Sequence, residues 1–250
     1  MLRRRRSRRH CLPMREGDSR LRGKEISRVE GLSDAVFGFS ITLLVVSLEV
    51  PHTAAEVLHA MRGFFAFAIT FSALFAVWRT QFGFFRRYGL EDNTTVTLTG
   101  MLLFVILFFI YPLKFIVGTV VERLMMHAGF VKSAEPISGP GFTLMYVALA
   151  LGWAAVMGVF MLLHRHAYKM REQLQLTPIE IVDTSDRIWH FAASVILGVL
   201  AALMWMAVYL FPGKDEQVVY PFIALIIILA VVMRRYRARR RAPAKPASRN

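Results

Sequence analysis

Residues 28–51 read RVEGLSDAVFGFSITLLVVSLEVP. From Leu32 to Val50 the run is long enough, as a helix, to cross a hydrocarbon core of about 30 Å, which takes about 20 residues. It is polar for such a segment, with Ser33, Asp34, Ser40, Thr42, Ser47 and Glu49 along it. Polar groups at membrane depth are costly and mark a pathway or a packing seam. Helical spacing sorts them. Phe39, Thr42, Leu43 and Val46 fall at i, i+3, i+4 and i+7, one face that is apolar apart from a single hydroxyl. Taken alone, that face reads as a packing stripe. Ser40 and Ser47 share another face, where together with Gly38 they permit close helix contact. Ser33 or Asp34 can cap the helix start. Asp34 can instead form a charge-paired anchor with Arg28.

The rest of the chain agrees with a membrane reading. Of its 250 residues, 56% are hydrophobic and 19% charged, yet the formal net charge is +14. A soluble domain this apolar would have no surface left to hydrate, and a disordered basic chain would not carry 20 Phe and 13 Met. Segregation of apolar from basic stretches reconciles the two, which excludes an ordinary soluble enzyme. The lone Cys11 excludes an intrachain disulfide and a Cys-based metal cluster within one chain.

Six apolar runs follow one another: Leu32–Val50, Gly63–Trp78, Leu98–Val120, Gly141–Leu163, Ile188–Phe211 and Val218–Met233. Residues 1–31 hold eleven Lys and Arg. The second-to-third connection adds Arg79, Arg86 and Arg87, the fourth-to-fifth adds Arg165, Lys169, Arg171 and Arg187, and the tail from Arg234 holds eight. The alternate connections carry only Arg62, Arg123, Lys132 and Lys214. The positive-inside rule therefore puts both termini in the cytoplasm, with six spans between them. The expected organisation is a disordered basic arm over 1–27, a six-helix membrane domain over 28–233 and a basic tail over 234–250. A signal-peptide reading of the N-terminal arginines finds no persuasive cleavage site after Leu32–Val50. Both basic ends can touch anionic lipid. Nucleic acid is the rival partner, and no nucleic-acid-binding fold is visible.

Elsewhere the polar residues read modestly. Trp78 fits an interfacial anchor, and Arg79 can snorkel to the cytoplasm. Pro112 kinks the third helix or ends its regular part. Lys114 snorkels outward or takes a paired role. His164 and His166 have no carboxylate or Cys near them in sequence, which argues against a metal site. Thr184-Ser185-Asp186 echoes Leu32-Ser33-Asp34 and reads as a helix cap before the fifth span, not as an internal repeat. Catalytic triads, HExxH, Gly-rich phosphate loops and the TVGYG-type filter are absent from the sequence, so no catalytic residues and no cofactor are assigned.

The opening stretch also resembles a known pattern. Residues 28–51 are similar to the first-helix signature of the prokaryotic relatives of transmembrane protein 175, a family of potassium channels of lysosomes and of bacteria and archaea. That signature is an Arg, three residues, Phe-Ser-Asp, then an Ala/Ile-rich run ending Ile-Thr-Leu-Leu. Arg28, Ser33, Asp34, Ile41, Thr42, Leu43 and Leu44 match it in register. Trp78, Phe85, Asp92 and Phe109-Ile-Tyr-Pro112 extend a looser likeness to residue 115, and beyond that it is topological. Leu32 stands where the signature has Phe, Phe39 where relatives carry Ile or Leu, and Gln81 where a His bonding between helices is expected.

The resemblance implies an all-α homotetramer whose first helices surround a central pore for permeant K+. By position, Phe39 would form the narrow ring, with Leu43 and Val46 as further apolar layers. Thr42 would form the hydroxyl ring that contributes selectivity, and Arg28, Ser33 and Asp34 a polar network fixing the first helix. Two other readings stay open from the residues: a secondary transporter coupled through Asp34 or Glu49, and a non-conducting scaffold that binds lipid through its basic ends.

Overall fold

In lipid every backbone N–H and C=O must be satisfied within the protein, and a helix does this by itself. The computed structural model describes residues 22–23, 25–46, 54–127 and 140–211. The regular structure among them is entirely helical: α1 (Arg28–Val46), α2 (Ala54–Tyr88), α3 (Asn93–His127), α4 (Pro140–Lys169) and α5 (Pro178–Leu210). Four of these, α2 from Gly63 onward together with α3, α4 and α5, are long and apolar enough to cross a membrane by length and composition. The sixth run, Val218–Met233, lies outside the described residues.

The helix ends differ from the sequence reading for identifiable reasons. α1 starts at Arg28 because the Ser27 hydroxyl accepts the Glu30 amide at 3.1 Å. Ser33 and Asp34 are therefore in its second turn and cap nothing. α5 starts ten residues before Ile188, at Pro178. There Thr177 and Glu180 close a capping box, each side chain bonding the other's backbone N–H. Thr184, read as part of a cap, is instead buried inside α5. α2 runs ten residues past Trp78, since its buried face continues through Gln81, Phe84, Phe85 and Tyr88 although Arg79, Arg86 and Arg87 interrupt the apolar run. α3 passes through Pro112 without ending. The α2–α3 turn needs glycine: Gly89 has φ +58 and donates to the Phe85 carbonyl at 2.8 Å. Asp92 then caps α3, accepting from Thr94 N at 3.1 Å and from Thr95 Oγ1 at 2.7 Å.

Paired positions give the direction of each helix. Tyr146 stacks on Trp205 at 4.5 Å and Phe160 on Phe191 at 5.5 Å, so α4 and α5 run antiparallel. Phe115 stacks on Phe142 while His166 meets Asp92, so α3 and α4 do too. α1 lies against α2 and α3. One end of the bundle thus gathers the start of α1, the end of α2, the start of α3, the end of α4 and the start of α5.

The core is mainly apolar, but the outer surface of the helices is apolar too and several hydroxyls lie inside. Thr70, Thr95, Thr99 and Thr184 are fully buried, while Phe104, Phe108, Ile196 and Leu203 lie exposed on the subunit. Several hydroxyls in the helices are satisfied by their own helix: Ser40 donates to Val36 O, Thr70 to Ala66 O and Ser72 to Ala68 O, whereas the buried Thr99 Oγ1 is without a partner among the described residues. Small residues bring the helices together. A Cβ on Gly198 of α5 would lie 2.9 Å from Ala154 Cβ and 3.1 Å from Ala150 O of α4. Gly198→Val should force the hairpin apart and destabilise the protein by about 1–3 kcal/mol. A lowered thermal midpoint in detergent would report it, and an unchanged midpoint would mean the α4–α5 seam is slack.

Candidate functional site

A helix advances about 100° per residue, so one fixed contact sets the direction of every other side chain on it. In α1 that contact is Ser33. Its hydroxyl donates to Val29 O at 2.7 Å and accepts from Gln81 Nε2 of α2 at 2.9 Å. Gln81 is itself buried, and its Oε1 is without a partner among the described residues. One residue on, Asp34 Oδ1 accepts from Trp78 Nε1 at 2.8 Å. Trp78, expected as an interfacial anchor, is thus an interhelical donor ten residues from the end of α2. Asp34 pairs with an indole and not with Arg28. Arg28 is exposed, and it takes part in none of the ion pairs among the described residues.

Turning outward from Ser33, the two faces of α1 separate. Glu30, Ser33, Phe37, Ser40 and Leu44 are buried, with Phe37 and Leu44 in the core shared with α2 and α3. Thr42 lies nine residues from Ser33, roughly 180° around the helix, and is exposed. Phe39 is 59% exposed, while Leu43, on the flank, is half-buried. The Val46 side chain lies outside the described residues. Gly38, expected on the serine face, is on the open one with nothing within 4 Å of where a Cβ would be. Thr42 Oγ1 donates to Gly38 O at 3.0 Å. With its proton returned to the helix, the hydroxyl oxygen presents lone pairs outward, the state suited to accepting a donor or ligating a cation. Toward the other end of α1, Lys114 Nζ reaches from α3 to Leu44 O at 3.4 Å, a contact between helices in place of the expected snorkelling.

The opposite pole of the molecule holds polar pairs the sequence reading missed. Arg87 bonds Asp183, which also accepts from Arg187 at 3.2 Å. Thr184 donates to Glu180 O, so Tyr88 is the donor in its 2.8 Å bond to the same hydroxyl. Arg22 donates to both carboxylate oxygens of Glu180. Only the Thr177-x-x-Glu180 spacing and the i, i+4 pair Asp183–Arg187 carried a local signal for any of these. His164 is buried among Phe84, Tyr88 and Phe191 with Nδ1 at 2.8 Å from Phe160 O, a packing role. His166 Nε2 lies 2.9 Å from Asp92 Oδ2, so the fold supplies a carboxylate where the local sequence has none. Among the described residues no group of three or more His, Cys, Asp or Glu could hold a metal.

Comparisons with known proteins agree on one family. The family described as "Endosomal/lysosomal potassium channel TMEM175" matches residues 28–110. A protein of Marivirga tractuosa named "Potassium channel" is 37% identical over 171 residues, covering 67% of this chain and 69% of that protein. "Potassium channel Cha6605_3372" of Chamaesiphon minutus is 25% identical over 198 residues, 76% of this chain and 89% of its own. The crystal structure of a variant of the potassium channel MtTMEM175, bound to a nanobody–MBP fusion protein, superposes with a TM-score of 0.79 at 30% identity. It covers 88% of this chain and 95% of that one.

Asp92 lies within the matched stretch and outside the apolar spans. Partial burial pushes its carboxyl up, but the bond from Thr95, the His166 contact and the Thr94 amide outweigh burial and hold it below the ordinary Asp value. A carboxyl depressed in the folded state contributes stability that is present above its unfolded pKa near 3.9 and is lost as pH falls through the lower folded value. Asp92→Asn should therefore lower stability at neutral pH and flatten the acid limb of the stability curve. Thermal midpoints taken from neutral pH down to about pH 3 test this, and an acid limb identical to that of the parent protein would exclude the Asp92 contribution.

Proposed function

Since the chain belongs to the family of the endosomal/lysosomal potassium channel TMEM175, we propose that it is a potassium-permeable cation channel, an integral membrane protein that moves K+ passively and catalyses no reaction. The observation that carries this reading is the two-faced α1. Ser33 turns inward to Gln81 of α2 and Asp34 is held by Trp78, a setting that leaves Phe39 and Thr42 uncovered by their own subunit. An uncovered face on the most polar membrane helix is what a pore-lining element requires.

In the proposed assembly six spans per subunit, the sixth being Val218–Met233, form a homotetramer with four α1 helices around the axis. Phe39 forms the narrow ring, with Leu43 and Val46 as further apolar layers. Apolar rings make the passage expensive for a fully hydrated ion, so K+ sheds part of its shell. Thr42 oxygens, their protons engaged by Gly38 carbonyls, offset part of that loss. Ser33 and Asp34 hold the inner end of α1 against α2 through Gln81 and Trp78. Both termini face the cytoplasm by the distribution of Lys and Arg, and the basic ends meet anionic head groups.

Reconstitution in liposomes under bi-ionic potassium/sodium conditions tests the proposal. Discrete openings with a reversal potential displaced toward potassium are expected. Phe39→Ala should increase cation current by widening the narrow ring. Current unchanged at equal protein incorporation removes Phe39 from the pore. Thr42→Val keeps shape and deletes the oxygen, a loss of about 1 kcal/mol or about fivefold in potassium-over-sodium preference. An unmoved reversal potential ends the selectivity role of Thr42.

A further inference from the structure

Arg22 lies six residues ahead of α1, in the stretch that the sequence reads as a disordered arm. Its guanidinium is engaged on the far side of the bundle. Nη1 and Nη2 donate to the two oxygens of Glu180 at 3.1 and 2.9 Å. Nε donates to Leu174 O at 2.9 Å and Nη2 to Gln175 O at 3.2 Å, both in the α4–α5 turn. The backbone is tied as well. The amides of Arg22 and Gly23 converge on Arg86 O at 3.2 and 3.3 Å, and Arg86 Nη1 returns a bond to Gly23 O at 3.0 Å. The fit is tight, for a Cβ on Gly23 would sit 2.5 Å from Phe85 O.

Glu180 is 4% exposed and also closes the capping box of α5. One buried carboxylate therefore joins the start of α5 to the strand of chain that enters α1. Ser27 caps α1 only four residues beyond Gly23, so little slack separates the tie from the helix. Among the described residues the backbone of α1 lies against α2 and α3 and away from α4 and α5. The Arg22 strap therefore links the α4–α5 turn to the entry of α1 in one step, beside the longer route through Asp183 and Thr184 to α2 and from Gln81 to Ser33.

We propose that Arg22 is a positioning residue whose bidentate grip on Glu180 makes the tilt of α1 follow the α4–α5 turn, and thereby sets how often the channel opens. This rests on the reading of α1 as the pore helix. A bidentate fork fixes direction as well as distance, which a lysine ammonium cannot do. The strap acts on the entry of α1 and not on the Phe39–Thr42 level, so it should alter opening and leave ion preference alone.

The test uses the full-length protein in liposomes, with Arg22→Gln, Glu180→Gln, their double variant and Arg22→Lys. Glu180→Gln keeps the α5 capping box, since Gln serves there as Glu does. Both single variants should change open probability in the same direction by about tenfold, the size of one charge-assisted bond, and the double variant no further. Arg22→Lys should resemble Arg22→Gln, and the reversal potential should stay at the parent value in all four. Amide hydrogen exchange across residues 28–34 should quicken in each variant. Parent-like open probability in both single variants, additive effects, full function of Arg22→Lys or a shifted reversal potential would each overturn the proposal. Phe39→Ala measured alongside separates the two levels. If it changes current while the strap variants do not, only the strap falls. If it leaves current unchanged, the pore reading falls, and unchanged exchange over 28–34 would remove the strap as a mechanical tie too.

Discussion

The bond between Ser33 of α1 and Gln81 of α2 determines more of this molecule than any other single contact. A rigid helix has one rotational setting, and this bond, seconded by Trp78 on Asp34, selects it. The choice is enforced because another setting would leave the buried Gln81 amide without its Ser33 acceptor. Once Ser33 is turned inward, Ser40 and Leu44 follow it into the core and Phe39 and Thr42 are carried to the opposite side. The uncovered face is thus the geometric complement of the satisfied one.

Two kinds of packing hold this arrangement. Toward the middle of the bundle the contacts are apolar and close, with Gly198 seated on Ala150 and Ala154 and aromatic pairs running down the α4–α5 seam. At the end where α2 closes and α5 opens they are charged and directional: Arg22 on Glu180, Arg87 on Asp183, His166 beside Asp92. The division follows the solvent. Head-group and aqueous surroundings tolerate ion pairs whose exposure in hydrocarbon would be prohibitive. It also leaves α4 and α5 as a firm hairpin and α1 as a separate element tied to it through a short strap.

Part of the membrane organisation was legible in the order of residues, for hydropathy located the cores of the five described helices. The signature around Arg28–Leu44 points to the family without reference to the fold. Helix ends were less legible. Hydropathy reports where apolar residues stop, whereas α2 stops where its buried face stops, at Tyr88. Likewise the cap of α5 is Thr177 and not the Thr184 triplet, because the backbone amides left open at a helix start belong to its first turn. The Thr177-x-x-Glu180 spacing was available to be read, and Ser27-x-x-Glu30 had the same form.

What the sequence determined by itself is therefore whatever is local or additive: the helical state of the five described apolar runs, the basic ends and the i, i+3, i+4, i+7 stripe of Phe39, Thr42, Leu43 and Val46. Periodicity groups residues on a face but cannot say which way that face points. Only the tertiary structure decided that Thr42 lies away from the subunit core, that Trp78 serves Asp34, that Lys114 reaches α1 and that Arg22 holds Glu180. Each of these depends on contacts between residues 44 to 158 positions apart. Such pairings are set by how whole helices fit together, and no window of sequence contains both partners.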